Sequence, residues 1–599
     1  MMRFLYQPRV HRFASALLVC STLVAGLAAT DSRKEQLKSA DAAFHVGYAA
    51  EQSGDLPRAR QQFEKVVQLA PDIAEGHSAL GSVLVQLGKY SLAIRELTRA
   101  LALKADDRSA QINLAVAYEQ SGAHEKSLAL FRSLDRNAAS PLSPNVVIFY
   151  IQALAATQQT ELAIRKAQGA VAAAPENPIL HDTLGSVEAQ RQDWNGAVSQ
   201  FREAIRLDPT FAEAHLHFGL TLMVQRRTPE AVQELATAAE LSPQSAFTQV
   251  EFAKALIANE ENEKAAAVLQ RALALDPSSL DAKYQLALAF QASGQEQQGI
   301  PLLQEVVAAD PHNVPALTNL GLALVQTGKS KEAIPLYQRA VKETPTDPLV
   351  HQGLGVAYLQ VSDLDDAMSE FRAGLRFAPD AYELHYDLGL ALKLKDDFAA
   401  ATTELELAAR FNPNSPDPPY TLGILQMQRG RFDDAEAHLR IALKLRPKNG
   451  DGWAILGSVY KQQNKLAEAS DALQKAIEVM PDQPGPHLTL AAVRAQQGRS
   501  AEAAKEREKA GELTRMAVNR QRATFATNTG SMLLLRNQIT DAIERYQEAV
   551  SSDPTYIEAH RGLATALARA GRAAEAEAER QKAYNLANEK LYMDLAQNS

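Results

Sequence analysis

The sequence predicts an all-α solenoid built from stacked helical hairpins. The main observation is a series of ten prolines, each 34 residues after the last: Pro175, Pro209, Pro243, Pro277, Pro311, Pro345, Pro379, Pro413, Pro447 and Pro481. A constant period of that length is typical of stacked-repeat proteins. Between the prolines, small and large apolar residues return at the same positions with helical spacing. The composition agrees, since a chain with 46% hydrophobic and only 6% aromatic residues suits helices that pack through small side chains.

Each repeat carries residues that suit two helices crossing at close range. Small residues at positions 8 and 20 fit where two helices cross, because axes about 8 to 10 Å apart leave no room for a long side chain. Proline at position 32 cannot continue a helix and separates one hairpin from the next. The clearest repeat has Trp453 at position 4, followed by Leu456, Gly457, Tyr460, Ala469, Leu473, Ala476 and Pro481. The same positions hold Pro209, Gly219, Gly321 and Gly355 in other repeats.

This pattern resembles the tetratricopeptide repeat, whose signature is W-x2-L-G-x2-Y followed by an alanine and a proline. The resemblance covers nearly all of the chain beyond its first 30 residues. It implies an all-α, right-handed superhelical solenoid of about sixteen tetratricopeptide helical hairpins, with a continuous groove.

The first residues have the pattern of an export signal. Arg3, Arg9 and Arg12 precede an apolar run, and Ala28 and Ala29 offer small residues for cleavage. Residues 1–29 are therefore predicted to be a signal peptide, and the protein to be exported to the periplasm or the cell exterior. Two alternatives stay open. Residues 13–29 could instead anchor the protein in the inner membrane, or Cys20 could be lipidated.

Irregularities in the repeat suggest three segments: N-terminal repeats at 40–141, a continuous central array at 142–517, and C-terminal repeats with a capping helix at 518–599. Pro141 and Pro144 indicate a longer turn between the first two segments. After Pro481 the register shifts by five residues, and the charged stretch at 505–522 predicts a lengthened helix. The polar stretch at 573–598 is suited to covering the end of the stack.

Composition and motifs argue against an enzyme. A net charge of −9 disfavours nucleic-acid binding, which depends on cationic contacts to phosphate. Cys20 is the single cysteine, so the chain has no disulfide framework and no thiolate metal site. We find no nucleotide-binding, metalloprotease or hydrolase motif in a suitable setting. The prediction is a non-catalytic protein without cofactor, metal or small-molecule substrate.

Two sets of recurring polar residues have a structural and a functional interpretation. Histidines recur at position 4, but equivalent positions in neighbouring repeats lie roughly 10 Å apart, too far to share a zinc ion, so packing is predicted. They are His77, His181, His215, His351, His385, His487 and His560. Acids recur at position 2, where the helix dipole stabilises them, although an acidic groove for a basic partner stays open. They are Asp41, Glu75, Glu213, Asp281, Glu383, Asp417, Asp451 and Glu558.

The candidate partner-binding residues lie at positions 5 and 6. Tyr284, Tyr386 and Tyr420 occupy position 5, where a tyrosine offers a large contact area at low entropic cost. Core packing is the alternative role. Asn113 and Asn319 occupy position 6, which carries a row of asparagines in the sugar-transferring members of the family.

The function predicted is a non-catalytic scaffold or adaptor that binds a protein or an extended peptide along its groove, in the cell envelope. It would contact a membrane only through an uncleaved leader. Two alternatives remain: an accessory subunit or repeat-only relative of a tetratricopeptide glycosyltransferase, or a cytoplasmic regulator if residues 1–29 are not a leader.

Overall fold

A computed structural model describes residues 31–136 and 141–598. Within these residues every regular element is an α-helix, 31 in all, so the all-α prediction is confirmed. The leader at 1–29 and Cys20 lie outside the described residues. The chain forms two compact halves, one ending at Asp310 and one beginning at Pro311.

The N-terminal half contains sixteen helices within its described residues: α1 (Asp31–Gln52), α2 (Leu56–Leu69), α3 (Ala74–Gln86), α4 (Tyr90–Leu103), α5 (Arg108–Gln120), α6 (His124–Asp135), α7 (Pro144–Ala156), α8 (Thr160–Ala173), α9 (Pro178–Gln190), α10 (Trp194–Leu207), α11 (Ala212–Val224), α12 (Thr228–Leu241), α13 (Ala246–Ala258), α14 (Asn262–Leu275), α15 (Leu280–Ala292) and α16 (Glu296–Ala309). The longer turn predicted near Pro141 and Pro144 includes residues 137–140, which lie outside the described residues.

The C-terminal half contains fifteen helices up to residue 598: α17 (Val314–Gln326), α18 (Ser330–Glu343), α19 (Pro348–Gln360), α20 (Leu364–Leu375), α21 (Tyr382–Leu394), α22 (Phe398–Phe411), α23 (Asp417–Gln428), α24 (Phe432–Leu445), α25 (Gly450–Gln462), α26 (Leu466–Val479), α27 (Pro484–Gln496), α28 (Ser500–Leu535), α29 (Ile539–Ser552), α30 (Ile557–Arg569) and α31 (Ala573–Asn598). The last of these is the predicted capping helix.

The small residues at position 8 sit at close helix crossings, as predicted. A Cβ atom added to Gly355 would lie 2.4 Å from Cε1 of Phe371, and one added to Gly457 would lie 2.6 Å from Cγ of Leu473. The second residue of each pair is the large apolar side chain at position 24 of the same repeat, and both are fully buried. In these hairpins the core is therefore a large side chain set against a glycine.

The turn inside each hairpin contains one residue with positive φ at position 15. The sixteen such residues in the described chain match the predicted number of hairpins. Eight are glycines: Gly54, Gly88, Gly122, Gly294, Gly328, Gly430, Gly498 and Gly571. The other eight carry a side chain in the left-handed region: Gln158, Gln192, Arg226, Glu260, Ser362, Asp396, Asn464 and Asn537.

One helix breaks the alternation of short helices. The 36-residue α28 is the second helix of one hairpin and also the first helix of the next. The proline series would place its next member at 515, where Arg515 stands, so nothing interrupts the helix. The lengthened helix predicted at 505–522 is confirmed and is longer than predicted. The boundary predicted between 517 and 518 falls inside it.

Candidate functional site

A cleft of about 570 Å³ lies between α17 and α19, the first helices of two consecutive hairpins. These belong to the surface we call the A-helix face, formed by the first helices α17, α19, α21, α23, α25 and α27 of the C-terminal half. Most of the lining side chains are apolar, among them Leu322, Val350 and Val356. Leu349 is 74% exposed. The cleft thus offers an apolar surface that solvent reaches.

Two glycines hold the aromatic ring that forms part of the cleft wall. A Cβ atom added to Gly321 would lie 2.6 Å from Cε2 of Tyr337, and one added to Gly353 would lie 2.4 Å from Cε1 of the same ring. The ring is thus flanked on both edges, and its burial raises the pKa of Tyr337 to about 12. The tyrosine is held as a neutral, rigid part of the cleft.

The polar groups around the cleft are engaged within the protein. Nδ2 of Asn319 donates to the Pro315 carbonyl at 2.9 Å, and Asp347 accepts from the Leu349 backbone amide at 2.9 Å. Nε2 of Gln352 donates to Oδ2 of Asp387 at 2.8 Å. Because these groups have partners, the surface favours an apolar side chain as its ligand.

Two tyrosines and a half-buried carboxylate follow on the next two helices of the same face. The Tyr386 hydroxyl lies 3.4 Å from Oγ1 of Thr421, and burial raises the pKa of both Tyr386 and Tyr420. Burial also raises the pKa of Asp387 to about 6, although the hydrogen bond from Gln352 opposes the shift. Three acids at position 2 lie in the first turns of α21, α23 and α25 on the same face: Glu383, Asp417 and Asp451. This part of the face is acidic and aromatic.

The five predicted partner-binding residues do not form one cluster. Asn319, Tyr386 and Tyr420 lie on the A-helix face, Asn319 in the cleft and both tyrosines half-buried beside it. Tyr284 is half-buried on α15, in the N-terminal half. Asn113 on α5 is only 5% exposed, which leaves little of its side chain for a partner.

The sequence analysis missed two residues that shape the cleft, Tyr337 and Gly353, and it missed Asp387 on the next helix of the face. A signal for the first two was present. Tyrosine at position 24 occurs in two repeats, and in both cases the following repeat has glycine at position 6: Gly353 after Tyr337, and Gly562 after Tyr546. A tyrosine at position 24 that is followed by a glycine at position 6 of the next repeat indicates that the ring packs across the contact between the two hairpins.

The histidines at position 4 are buried, as the packing interpretation predicts, and they also make hydrogen bonds that the sequence did not predict. Nδ1 of His215 lies 2.7 Å from Oε2 of Glu234, and Nε2 lies 3.2 Å from the Pro209 carbonyl. The bond to Glu234 raises the pKa of His215. The same ring-to-proline contact recurs at Trp453, whose Nε1 donates to the Pro447 carbonyl at 2.9 Å. Where it carries one of these rings, position 4 thus ties the first helix to the preceding turn.

In residues 31–136 and 141–598, no three histidine, cysteine, aspartate or glutamate side chains are grouped as a metal site would require. None of the helices in these ranges has the length and apolarity needed to span a bilayer.

Four family models match the chain. Two are tetratricopeptide models, one matching residues 27–72 and 78–144 and the other matching 185–225 and 530–571. The other two describe the C-terminal domain of cilia and flagella-associated protein 70, at 287–528, and a bacterial transcriptional activator domain, at 207–347.

Among curated proteins, the chain is similar to a peroxisomal targeting signal receptor of Yarrowia lipolytica, with 28% identity over 199 residues. The match spans 31% of this chain and 32% of the receptor, so it covers about a third of that relative's length.

Solved structures align with this chain at low overall similarity. The hetero-tetramer Cut9–Hcn1 of APC/C aligns over 90% of this chain and 98% of its own, with 16% identity and a TM-score of 0.35. YrrB, described as a tetratricopeptide protein with an unusual peptide-binding site, aligns over 30% of this chain and 92% of its own, with 26% identity and a TM-score of 0.27.

The 34-residue register, the helical hairpins and two family models agree on one repeat type. The chain is a tetratricopeptide repeat protein.

Proposed function

We propose that the protein is a non-catalytic scaffold that binds an extended peptide segment of a partner protein along the A-helix face of its C-terminal half. The cleft between α17 and α19 carries this proposal, because it is an apolar, solvent-accessible space of about 570 Å³ whose polar neighbours are already hydrogen-bonded. Stacked helical repeats bind partners through surfaces of this kind.

The chemistry of the face defines the segment that fits it. An apolar side chain enters the cleft against Leu349 and Tyr337, and its burial contributes about 1.5 to 3 kcal/mol. A lysine or arginine elsewhere in the bound segment would lie near Asp387 and the rings of Tyr386 and Tyr420. The carboxylate attracts the cation by charge, and the rings attract it by cation–π interaction. The preferred segment therefore carries an apolar residue and a basic residue. The similarity to a receptor for a targeting signal is in keeping with peptide recognition.

A displayed library of random peptides tests the proposal. We expect the purified full chain to enrich peptides that combine an apolar and a basic residue. Leu349→Glu should weaken their binding at least tenfold, because it places a charge at the mouth of the cleft. Ile441→Glu is the matched control: Ile441 is 51% exposed on α24, a second helix away from the cleft, and its substitution should leave binding unchanged. Enrichment of the same peptides by the Leu349→Glu protein would refute the proposal.

We also propose that the protein works outside the cytoplasm, delivered there by residues 1–29. The arginines and the apolar run of that segment support export. Cell fractionation of a C-terminally tagged chain, with N-terminal sequencing of the product, tests this. A full-length chain recovered from the cytoplasm would contradict it.

A further inference from the structure

The hydroxyl of Tyr337 differs from the polar groups around the mouth of the cleft, which are hydrogen-bonded within the protein. Tyr337 is 4% exposed, and its hydroxyl has no hydrogen-bond partner among the residues that the structure describes. Burial raises the pKa of Tyr337 to about 12, so the hydroxyl keeps its proton and can donate. A buried donor without an acceptor is unfavourable, and it therefore marks a place where a ligand atom can bind.

A second tyrosine in the chain shows which atom a hydroxyl in this position meets. Tyr546 occupies position 24, like Tyr337, and each ring packs against a glycine at position 6 of the next repeat. A Cβ atom added to Gly562 would lie 2.6 Å from Cζ of Tyr546. One added to Gly353 would lie 2.7 Å from Cζ of Tyr337. The Tyr546 hydroxyl lies 2.9 Å from Oγ of Ser531, the residue at position 9 of its own repeat.

The repeat of Tyr337 has no such oxygen at position 9. Leu322 stands there, and its side chain can neither donate nor accept a hydrogen bond. Leu322 and Tyr337 both line the cleft, and Leu322 is 42% exposed. The Tyr337 hydroxyl therefore faces the cleft on the side where the equivalent tyrosine meets its serine. An oxygen atom of the ligand can take the place of that serine oxygen.

Charge limits this oxygen to a neutral one. Among the described side chains that line the cleft, Asp347 is the single carboxylate, and none is a lysine or an arginine. A carboxylate or phosphate on the ligand would be repelled by Asp347 and would lack a cation to offset its burial. The remaining wall is largely aliphatic. The cleft therefore fits an apolar side chain that ends in a neutral oxygen.

We propose that the side chain entering the cleft is a tyrosine of the partner peptide, whose phenolic oxygen accepts a hydrogen bond from the Tyr337 hydroxyl. This inference rests on the peptide-binding function proposed above and names the residue that the cleft selects. A tyrosine buries its ring against Leu322 and Val356 and carries its oxygen at the far end of the ring. Serine and threonine have a neutral oxygen but lack the ring that a cleft of about 570 Å³ can bury.

Exchange of tyrosine for phenylalanine in the peptide tests the proposal. We expect the peptides that the wild-type chain enriches from a displayed random library to share a tyrosine. Replacing this tyrosine with phenylalanine in a synthetic peptide should weaken binding about tenfold in calorimetric titrations, because the donor of Tyr337 is then left unpaired. In the Tyr337→Phe protein the two peptides should bind equally, because this substitution removes the donor and keeps the ring.

Two further variants separate the hydrogen bond from packing. Leu322→Ser gives Tyr337 the internal partner that Tyr546 has, so it should reduce the preference for tyrosine over phenylalanine. Tyr546→Phe removes a similar hydroxyl outside the cleft and should leave the preference unchanged.

The outcomes distinguish this inference from the function on which it rests. A wild-type chain that binds the two peptides equally, or a Tyr337→Phe protein that keeps the preference, would overturn the inference and leave peptide binding in place. A wild-type chain that enriches no peptide from the library would overturn both.

Discussion

The ring of Tyr337 gives the most direct test of the cleft geometry, through the substitution Gly353→Ala. The added Cβ would lie 2.4 Å from Cε1 of the ring, and the ring has little room to move away because the Gly321 backbone packs against its other edge, where an added Cβ would lie 2.6 Å from Cε2. Overpacking of this kind costs about 1 to 3 kcal/mol. Gly169→Ala is the matched control, since Gly169 lies inside α8 with no atom near its missing Cβ. That substitution should stabilise its helix by roughly 0.5 to 1 kcal/mol.

Hydrogen–deuterium exchange is the appropriate assay, because stacked repeats open locally and a single unfolding midpoint would average the effect. At 1.4 kcal/mol per tenfold, the expected cost makes amides of α18 and α19 exchange about 5 to 140 times faster in Gly353→Ala. Amides of α8 should exchange more slowly in Gly169→Ala. Unchanged exchange in α18 and α19 would refute the packing of Tyr337 between two glycines.

Three further predictions concern charge and turns. The raised pKa of His215 means that its bond to Glu234 stabilises the fold fully below the unfolded pKa of about 6.5 and is lost as pH rises above it. Protection of α11 and α12 against hydrogen exchange, referred to the intrinsic exchange rate at each pH, should show that the stability lost by Glu234→Gln is largest at pH 5.5 to 6 and shrinks toward pH 8.5. Peptide binding should strengthen between pH 5 and 7 as Asp387, with its pKa of about 6, ionises, and Asp387→Asn should abolish that pH dependence in calorimetric titrations. In the turns, Glu260→Gly (φ 62°) should stabilise by up to about 1 kcal/mol and Gly328→Ala (φ 75°) should destabilise by a similar amount, read from hydrogen exchange of the two helices that flank each turn.

The sequence was sufficient to predict the hairpins because the same close helix crossing and the same turns recur from one repeat to the next. Contacts such as Gly457 opposite Leu473, and a proline after the second helix, recur in most copies, so the period itself shows them. The lengthened helix was also predictable, from the shift of register and the missing proline at Arg515. Its full length was not, because residues 514–522 in the middle of α28 are all exposed and no buried apolar pattern marks them as helical.

The cleft could be predicted only in part, because it depends on departures from the repeat. Asn319 was a candidate at position 6, but the wall of the cleft needs Tyr337 in one repeat and Gly353 in the next. That pairing spans two hairpins and is seen only once their contact is known. Asn113 shows the reverse: it shares position 6 with Asn319, yet it is buried among its neighbours. Position in the repeat fixes the helix face, whereas the neighbouring side chains decide whether a residue is accessible.

The helix shared by two hairpins also changes how the C-terminal half responds to a pulling force. Elsewhere in the array one hairpin can unfold as far as its proline turn while the neighbouring hairpin stays folded. The hairpins on either side of Arg515 have no such turn between them, since one helix runs through both. When the chain is pulled from its C-terminal end, α27 to α29 should therefore unfold in one step. The length of chain released in that step would be about twice that released by a single hairpin elsewhere in the array.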